Sequence, residues 1–142
     1  MLTGEASAPE GLRLYAVGDT HGHLSLARAL FGKIEADLAR NPPPRHRIVM
    51  LGDYCDRGPE TRGLIDFLIE QGSHHDMVCL LGNHDQRMLE FPDMADETGE
   101  AFLHFGGRET LASYGIDADA ATSLRAAGKA FGFADPEAAL AT

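Results

Sequence analysis

The strongest signal in the sequence is Gly52-Asp53-Tyr54-Cys55-Asp56-Arg57-Gly58-Pro59, which directly follows the apolar run 48–51. A short apolar run of this kind is typical of a buried β-strand. Two further apolar runs continue in the same way: 14–17 leads into Gly18-Asp19-Thr20-His21-Gly22, and 77–81 leads into Gly82-Asn83-His84-Asp85. In α/β folds the carboxyl ends of parallel strands meet at the sheet edge that carries the site. The three units therefore predict a functional centre, although one Gly-Asp alone is often only a turn or a helix cap.

Strands alternate with helical patterns along the chain, which predicts an α/β fold with a parallel sheet and right-handed crossovers. We expect strands over 12–17, 47–51 and 77–81. We expect helices over 24–40, from Pro59 to a cap at Gly72, and over 84–89. Residues 92–100 read as an acidic loop, followed by helical stretches over 101–105 and 108–114 that Gly106 and Gly107 separate.

Length and composition indicate one domain with a modest core and no special environment. The chain has 142 residues, 44% of them hydrophobic, and a formal net charge of -10. This charge argues against broad nucleic-acid binding, which needs a cationic surface. We expect no membrane span and no secretory signal, so the cytoplasm is the default location. Cys55 and Cys79 are expected to be reduced and partly buried.

Four side chains in the three turns are candidate ligands for divalent metal ions. Asp19 and His21 lie two residues apart and can reach one ion, whereas Asp53 has two oxygens that can face different ions. Asn83 adds a neutral carbonyl oxygen. This mixture of oxygen and nitrogen ligands suits Mn²⁺, Fe or Zn²⁺. Two such ions can acidify a shared water and hold both the attacking and the leaving oxygen of an in-line displacement.

Three further residues complete a hydrolytic centre for phosphate esters. Arg57 is the candidate phosphate clamp, because its planar fork binds phosphoryl oxygens in pairs and keeps its charge. His84 is the candidate general acid, with Asp56 behind it to fix the imidazole tautomer. The other histidines carry weaker signals. His23 could line the site or face solvent. His74 and His75 are expected to be solvated. His104 is expected to be structural, and His46 is no better placed for chemistry.

The three motifs together resemble the calcineurin-like metallophosphoesterase superfamily, and the spelling Gly-Asp-x-x-Asp-Arg-Gly resembles its phosphoprotein (serine/threonine) phosphatase branch of bacterial type. The segment 105–115 is similar to a part of the bacterial members. The resemblance implies Asp19, His21 and Asp53 on a first metal, and Asp53 with Asn83 on a second. It also implies Arg57 on phosphate and His84 paired with Asp56.

The resemblance also implies a larger fold than this sequence accounts for. Members form an α/β/β/α sandwich in which later strands supply two more histidine ligands, and no histidine follows His104 here. We therefore expect the parallel-stranded N-terminal half of that sandwich with a helical C-terminal segment, and an incomplete second metal site. By residue, this gives a flexible arm over 1–11, the metallophosphoesterase domain over 12–115, and an Ala-rich helical or disordered tail over 116–142. The chain reads as a truncated product or fragment whose bare sheet face would expose apolar surface and permit self-association.

Three functions follow, in this order of preference. The first is hydrolysis of phosphoserine, phosphothreonine or small phosphoesters by direct attack of water or hydroxide on phosphorus. The second is hydrolysis of a dinucleoside polyphosphate by the same superfamily, although such relatives commonly differ at the position of Asp56. The third is a non-catalytic remnant that serves as a binding module.

Overall fold

The structure is a computed structural model, and it describes residues 7–91 and 96–118. Its three strands are β1 (Leu12–Val17), β2 (Arg45–Met50) and β3 (Met77–Cys79). Its helices are α1 (Leu24–Arg40), α2 (Thr61–His74), α3 (Asn83–Glu90), α4 (Asp96–Phe102) and α5 (Arg108–Ser113), with a kinked segment over Leu103–Gly107 between the last two. The strand-helix-strand-helix-strand order is the predicted one.

The three strands form one parallel sheet in the order β1-β2-β3. Tyr15 pairs with Ile48, and Ile48 pairs in turn with Met77, so β2 is central and all three strands end at the same edge. The α/β class with a parallel sheet is therefore confirmed. This register carries the three glycine turns to one side of the molecule.

One face of the sheet is covered by α1 and α2. Val17, Ile48 and Met50 point into this layer and are 5%, 0% and 0% exposed. Phe31 of α1 and Phe67 of α2 meet there edge to face, with ring centroids 5.3 Å apart. Burying such side chains stabilises a fold by about 1.5–3 kcal/mol each, so this layer anchors the strands.

The other face of the sheet is open among the described residues. Side chains alternate along a strand, so Leu14 and Val78 point away from the helices, and they are 47% and 39% exposed. Leu80, just past β3, is 46% exposed. The expected bare apolar face is present, and self-association through it remains a prediction.

The C-terminal helical segment packs on the turn after β2 rather than on the sheet. A second buried cluster joins this turn to α3, α4 and α5, and consists of Cys55, Met88, Phe91, Phe102 and Leu111. Because Cys55 sits in the middle of the turn, the contact fixes its neighbours Asp56 and Arg57 against the helical segment.

Several predicted boundaries move. Helix α2 begins at Thr61, two residues after Pro59, and continues past Gly72 to His74. A helix begins at Asp96, inside the stretch predicted to be a loop. The missed helix lacks a strong apolar stripe, and its buried end at Phe102 depends on the cluster that packs under it.

The two chain ends lie largely beyond the part that the structure covers. Residues 1–6 of the predicted arm and 119–142 of the predicted tail are outside the described residues. Within the described ranges, no helix has both the length and the apolar character that a membrane crossing requires.

Candidate metal and phosphate site

The turns after β1 and β2 are joined by backbone hydrogen bonds. The N–H groups of Thr20 and His21 both donate to the Asp53 carbonyl, at 3.1 and 2.9 Å. The Gly58 N–H donates back to the His21 carbonyl at 2.9 Å. These bonds hold the predicted ligands Asp19, His21 and Asp53 in one fixed frame.

The turns after β2 and β3 are joined by the Asp85 carboxylate. Its Oδ2 accepts from the N–H groups of Asp53 and Gly82 at 2.7 and 2.9 Å. Its Oδ1 accepts from the N–H of Tyr54 at 2.8 Å. Sequence reasoning assigned Asp85 no task. Its position in the first turn of α3, where acidic side chains favour the helix N-terminus, was the available signal.

Four non-glycine residues in the described part of the chain adopt a positive φ, and all four were predicted site residues. The φ values are 39° at His21, 56° at Asp53, 70° at Asp56 and 65° at Arg57. Each such conformation costs of order 1–3 kcal/mol, and it persists only where the surroundings enforce it. Concentration of this strain in two facing turns supports a functional role for them.

A glycine is required where the second and third turns touch. A Cβ atom on Gly82 would overlap the Asp53 carboxylate and the Asp53 backbone nitrogen. With glycine there, Asp53 Oδ1 instead accepts from the His84 N–H at 3.0 Å. The contact places Asp53 directly between the first and third turns.

His21 presents a buried nitrogen with no hydrogen-bond partner in the part of the chain that the structure describes. Its Nδ1–H donates to the Cys55 carbonyl at 2.7 Å, which leaves Nε2 with its lone pair free. Nε2 is buried and has no hydrogen-bond partner among the described residues. Asp19 Oδ2 lies 3.8 Å from it. A carbonyl behind a ligating imidazole is the usual arrangement at metal centres, so these residues fit a divalent cation.

Ligand atoms of His21, Asp53 and His84 lie within 4.8 Å of one another, which is close enough to surround one ion. His84 is nevertheless better suited to proton transfer than to ligation. Its Nδ1 is occupied by Asp56, and the Arg57 guanidinium lies 3.3 Å from its Nε2. A positive charge at that distance opposes a second cation on the same nitrogen.

The other two predicted ligands lie at the rim. The Asp19 side chain is 63% exposed, and Asn83 is exposed at the start of α3. His23 is also exposed, at the N-cap of α1. It lines a cavity of about 240 Å³ together with Asp19. Ligation by Asp19 and Asn83 stays a prediction.

His84 and Asp56 form the predicted pair. His84 Nδ1–H donates to Asp56 Oδ2 at 2.7 Å, and Asp56 is completely buried. The Thr110 hydroxyl donates to Asp56 Oδ1 at 2.8 Å and accepts from the Asp56 N–H at 2.8 Å. Thr110 therefore fixes the carboxylate from behind. Sequence reasoning missed it, and the only signal was its place in the segment 105–115.

Arg57 reaches the same histidine from the solvent side. Its Nη2 donates to His84 Nε2 at 3.3 Å, on the side of the ring opposite to the bond with Asp56. The Arg57 side chain is exposed, and its backbone is held where Gly106 approaches so closely that a Cβ would collide with the Arg57 nitrogen. The guanidinium is thus free to turn toward an anion.

The cysteines have no catalytic geometry. Both are free thiols, but only Cys55 is buried, whereas Cys79 is exposed and so differs from the prediction. Burial, reinforced by the Asp56 and Asp85 carboxylates, raises the pKa of the Cys55 thiol far above its ordinary value. Cys55 therefore acts as a small core residue.

Comparison with known proteins agrees with this geometry. The family model described as calcineurin-like phosphoesterase matches residues 12–131. A protein named bis(5'-nucleosyl)-tetraphosphatase, symmetrical, from Pseudomonas putida (strain F1) is 36% identical over 75 residues, which cover 53% of this chain and 24% of that protein. The protein of the same name from Pseudomonas fluorescens (strain Pf0-1) is 36% identical over 53% of this chain and 23% of its own length. The one from Ectopseudomonas mendocina (strain ymp) is 32% identical over 55% of this chain and 26% of its own length.

The matched part of the chain thus spans about a quarter of the length of these curated relatives. The family match is far more extensive, because it covers all three strands, the three glycine turns and the described helices. The chain therefore belongs to the calcineurin-like phosphoesterase family.

Proposed function

We propose that this centre hydrolyses the phosphoanhydride chain of a dinucleoside polyphosphate. The observation that carries the proposal is the buried His21 Nε2 beside Asp53, which has no hydrogen-bond partner among the described residues. The names of the curated relatives support an anhydride substrate over a phosphoprotein, which was the first preference from sequence.

The proposed metal ligands are Asp19, His21 and Asp53 for one divalent ion, and Asp53 with Asn83 for a second. When bound, such ions supply Lewis acidity and an acidified water. The orientation of these ligands comes from the chain itself, since the Cys55 carbonyl fixes the His21 ring and the His84 N–H fixes one Asp53 oxygen.

Arg57 and His84 perform linked tasks in this proposal. In the resting arrangement Arg57 donates to His84 Nε2. When Arg57 turns to bind phosphoryl oxygens in a bidentate manner, it leaves that nitrogen free. His84 can then take up a proton at Nε2 and deliver it to the leaving phosphate oxygen, while Asp56 stabilises the resulting imidazolium.

Thr110 holds Asp56 in place during this cycle. One oxygen of the Asp56 carboxylate accepts a hydrogen bond from His84, and the other accepts one from the Thr110 hydroxyl. A carboxylate costs less free energy to bury when both of its oxygens are hydrogen-bonded. Asp56 therefore stays charged and in place, and it keeps the His84 ring in the productive tautomer.

A phosphoserine or phosphothreonine phosphatase is the second candidate. The observation that favours it is the His84–Asp56 contact, because dinucleoside polyphosphate hydrolases of this superfamily commonly differ at the position of Asp56. An alkoxide is a poorer leaving group than a phosphate, so it gains more from a strong proton donor behind it.

The deciding experiment compares diadenosine tetraphosphate with a phosphoserine peptide, using this chain supplied with Mn²⁺. We expect turnover of the tetraphosphate, no comparable turnover of the peptide, and loss of activity in Asp53→Asn. Preference for the peptide would support the second candidate. Turnover of neither substrate would favour a binding module and contradict the proposal.

A further inference from the structure

A cavity of about 470 Å³ adjoins the candidate site. It lies within the range of small-molecule sites, about 300–1,000 Å³. Arg57 belongs to both places, since it lines the cavity and also reaches His84. A phosphate held by Arg57 would therefore leave the rest of its molecule at the mouth of this cavity.

The cavity presents an aromatic ring that the core does not use. Phe105 lines it and is 51% exposed. The Arg87 guanidinium lies 5.6 Å from the ring centroid, and the His104 ring lies 5.4 Å away. His104, predicted to be structural, is exposed here. A half-exposed ring flanked by a cation is a stacking surface for a planar heterocycle.

The backbone explains why Phe105 faces this cavity. It lies at the kink between α4 and α5, with φ −90° and ψ 17°, and is followed by Gly106 at φ 110°. Neither residue has helical backbone angles, so the helix is broken here and the Phe105 side chain leaves the regular helical face. Contact between Gly106 and the Arg57 backbone fixes the ring beside the phosphate clamp.

Charge in the cavity is opposite to that of the whole chain. The formal net charge is -10, yet Arg57 and Arg108 line the cavity and Arg87 lies over its ring. Glu109 is the one acidic residue among the described lining residues. A locally cationic cavity with an aromatic wall matches an anionic molecule with a flat apolar part.

We propose that this cavity is a subsite for the nucleobase of a nucleotide, with Phe105 as its stacking surface and Arg57 on the adjacent phosphate. The inference rests on the proposed function, and it adds a residue that would distinguish nucleotides from other phosphoesters. Phe105 acts through contact with the base, so its effect depends on the presence of a base.

Isothermal titration calorimetry in EDTA tests the subsite without metal or turnover. The ligands are AMP and ribose 5-phosphate, which carry the same phosphate and differ in the base. Since stacking of one base contributes about 1–3 kcal/mol, we expect AMP to bind about tenfold more tightly. In Phe105→Ala the two affinities should become equal through loss of AMP binding alone.

Two variants keep this test sharp. Phe105→Leu fills similar space without an aromatic face, so it should behave as Phe105→Ala does even if the alanine variant folds poorly. Ile69→Ala removes an apolar side chain that is 70% exposed on α2, and it should leave both affinities unchanged.

Equal affinities in the unmodified chain, or a preference for AMP that survives in Phe105→Leu, would overturn the inference. The inference would also be overturned if replacement of Phe105 weakened binding of a phosphoserine peptide and left binding of AMP unchanged. If the unmodified chain does not hydrolyse diadenosine tetraphosphate, only the proposed function is overturned, because base-dependent binding is measured separately in EDTA.

Discussion

Two pairs of histidines lie at opposite ends of the same sheet, and they differ in what surrounds them. At the carboxyl ends, the rings of His21 and His84 meet at 4.8 Å, and each donates from Nδ1 to an oxygen. At the amino ends, the rings of His46 and His75 meet at 5.3 Å and are hydrogen-bonded to each other, Nε2 to Nδ1 at 3.1 Å.

The difference shows that the partner, and not the residue type, sets the chemistry. An imidazole with an oxygen behind it has a fixed tautomer and a nitrogen aimed forward, which suits ligation or proton transfer. Two imidazoles that are bonded to each other occupy one donor and one acceptor nitrogen between them. Neither ring is then held by an oxygen that would aim its other nitrogen into a site. His75, predicted to be solvated, instead also packs near Phe31 at 6.3 Å.

Replacement of one histidine from each pair should give the largest contrast. We expect His84→Asn to lower kcat for diadenosine tetraphosphate by about 10²–10⁴-fold, because general acid catalysis contributes that much. His75→Asn should retain the kcat of the unmodified chain. Steady-state kinetics with Mn²⁺ measures both, and equal losses would show that the two pairs do not differ in function.

The carboxylates at the two ends should differ in their contribution to stability. Asp85→Asn turns an NH₂ group toward backbone N–H donors, and we expect a loss of about 2–3 kcal/mol in the free energy of unfolding. Asp76, at the amino end, bonds Arg47 at 2.9 Å but is 53% exposed. Asp76→Asn should cost less than about 1 kcal/mol. Urea denaturation compares them, and equal losses would contradict the assigned role of Asp85.

The smallest effect should be a pH dependence at the amino end. Burial, together with His46 and His74, lowers the pKa of His75 below 6.5, and Glu35 acts in the opposite direction. The unfolded chain then takes up its proton first on acidification, so stability falls as pH drops through 6.5 and levels off below the folded pKa. His75→Gln should make this decline shallower in urea denaturation between about pH 7.5 and pH 5.5. An unchanged slope would contradict the shift.

The residues that sequence reasoning found share a local pattern. His21, Asp53 and His84 each follow a strand within a glycine turn, and parallel strands bring such turns together without further information. The fold class could be predicted for the same reason, since strand and helix periods alternate clearly.

The residues that it missed depend on contacts across the chain. Thr110 meets Asp56 over 54 positions, and Asp85 meets Tyr54 over 31. Nothing local distinguishes Thr110 from any helical threonine. The two adjacent glycines predicted the break between helices, which the structure has at Phe105 and Gly106, but the position of the Phe105 ring beside Arg57 also depends on the close approach of Gly106 to the Arg57 backbone.

The most direct test is to measure Mn²⁺ binding to the unmodified chain and to two matched variants. The electron paramagnetic resonance signal of the free ion reports how much Mn²⁺ is bound. We predict that His21→Asn weakens binding by at least about tenfold, the lower end of the loss seen when even an outer-shell partner is removed. The double variant His46→Asn, His75→Asn should bind as the unmodified chain does. Equal binding in His21→Asn, or loss of binding in the double variant, would contradict a metal centre at the carboxyl end of the sheet.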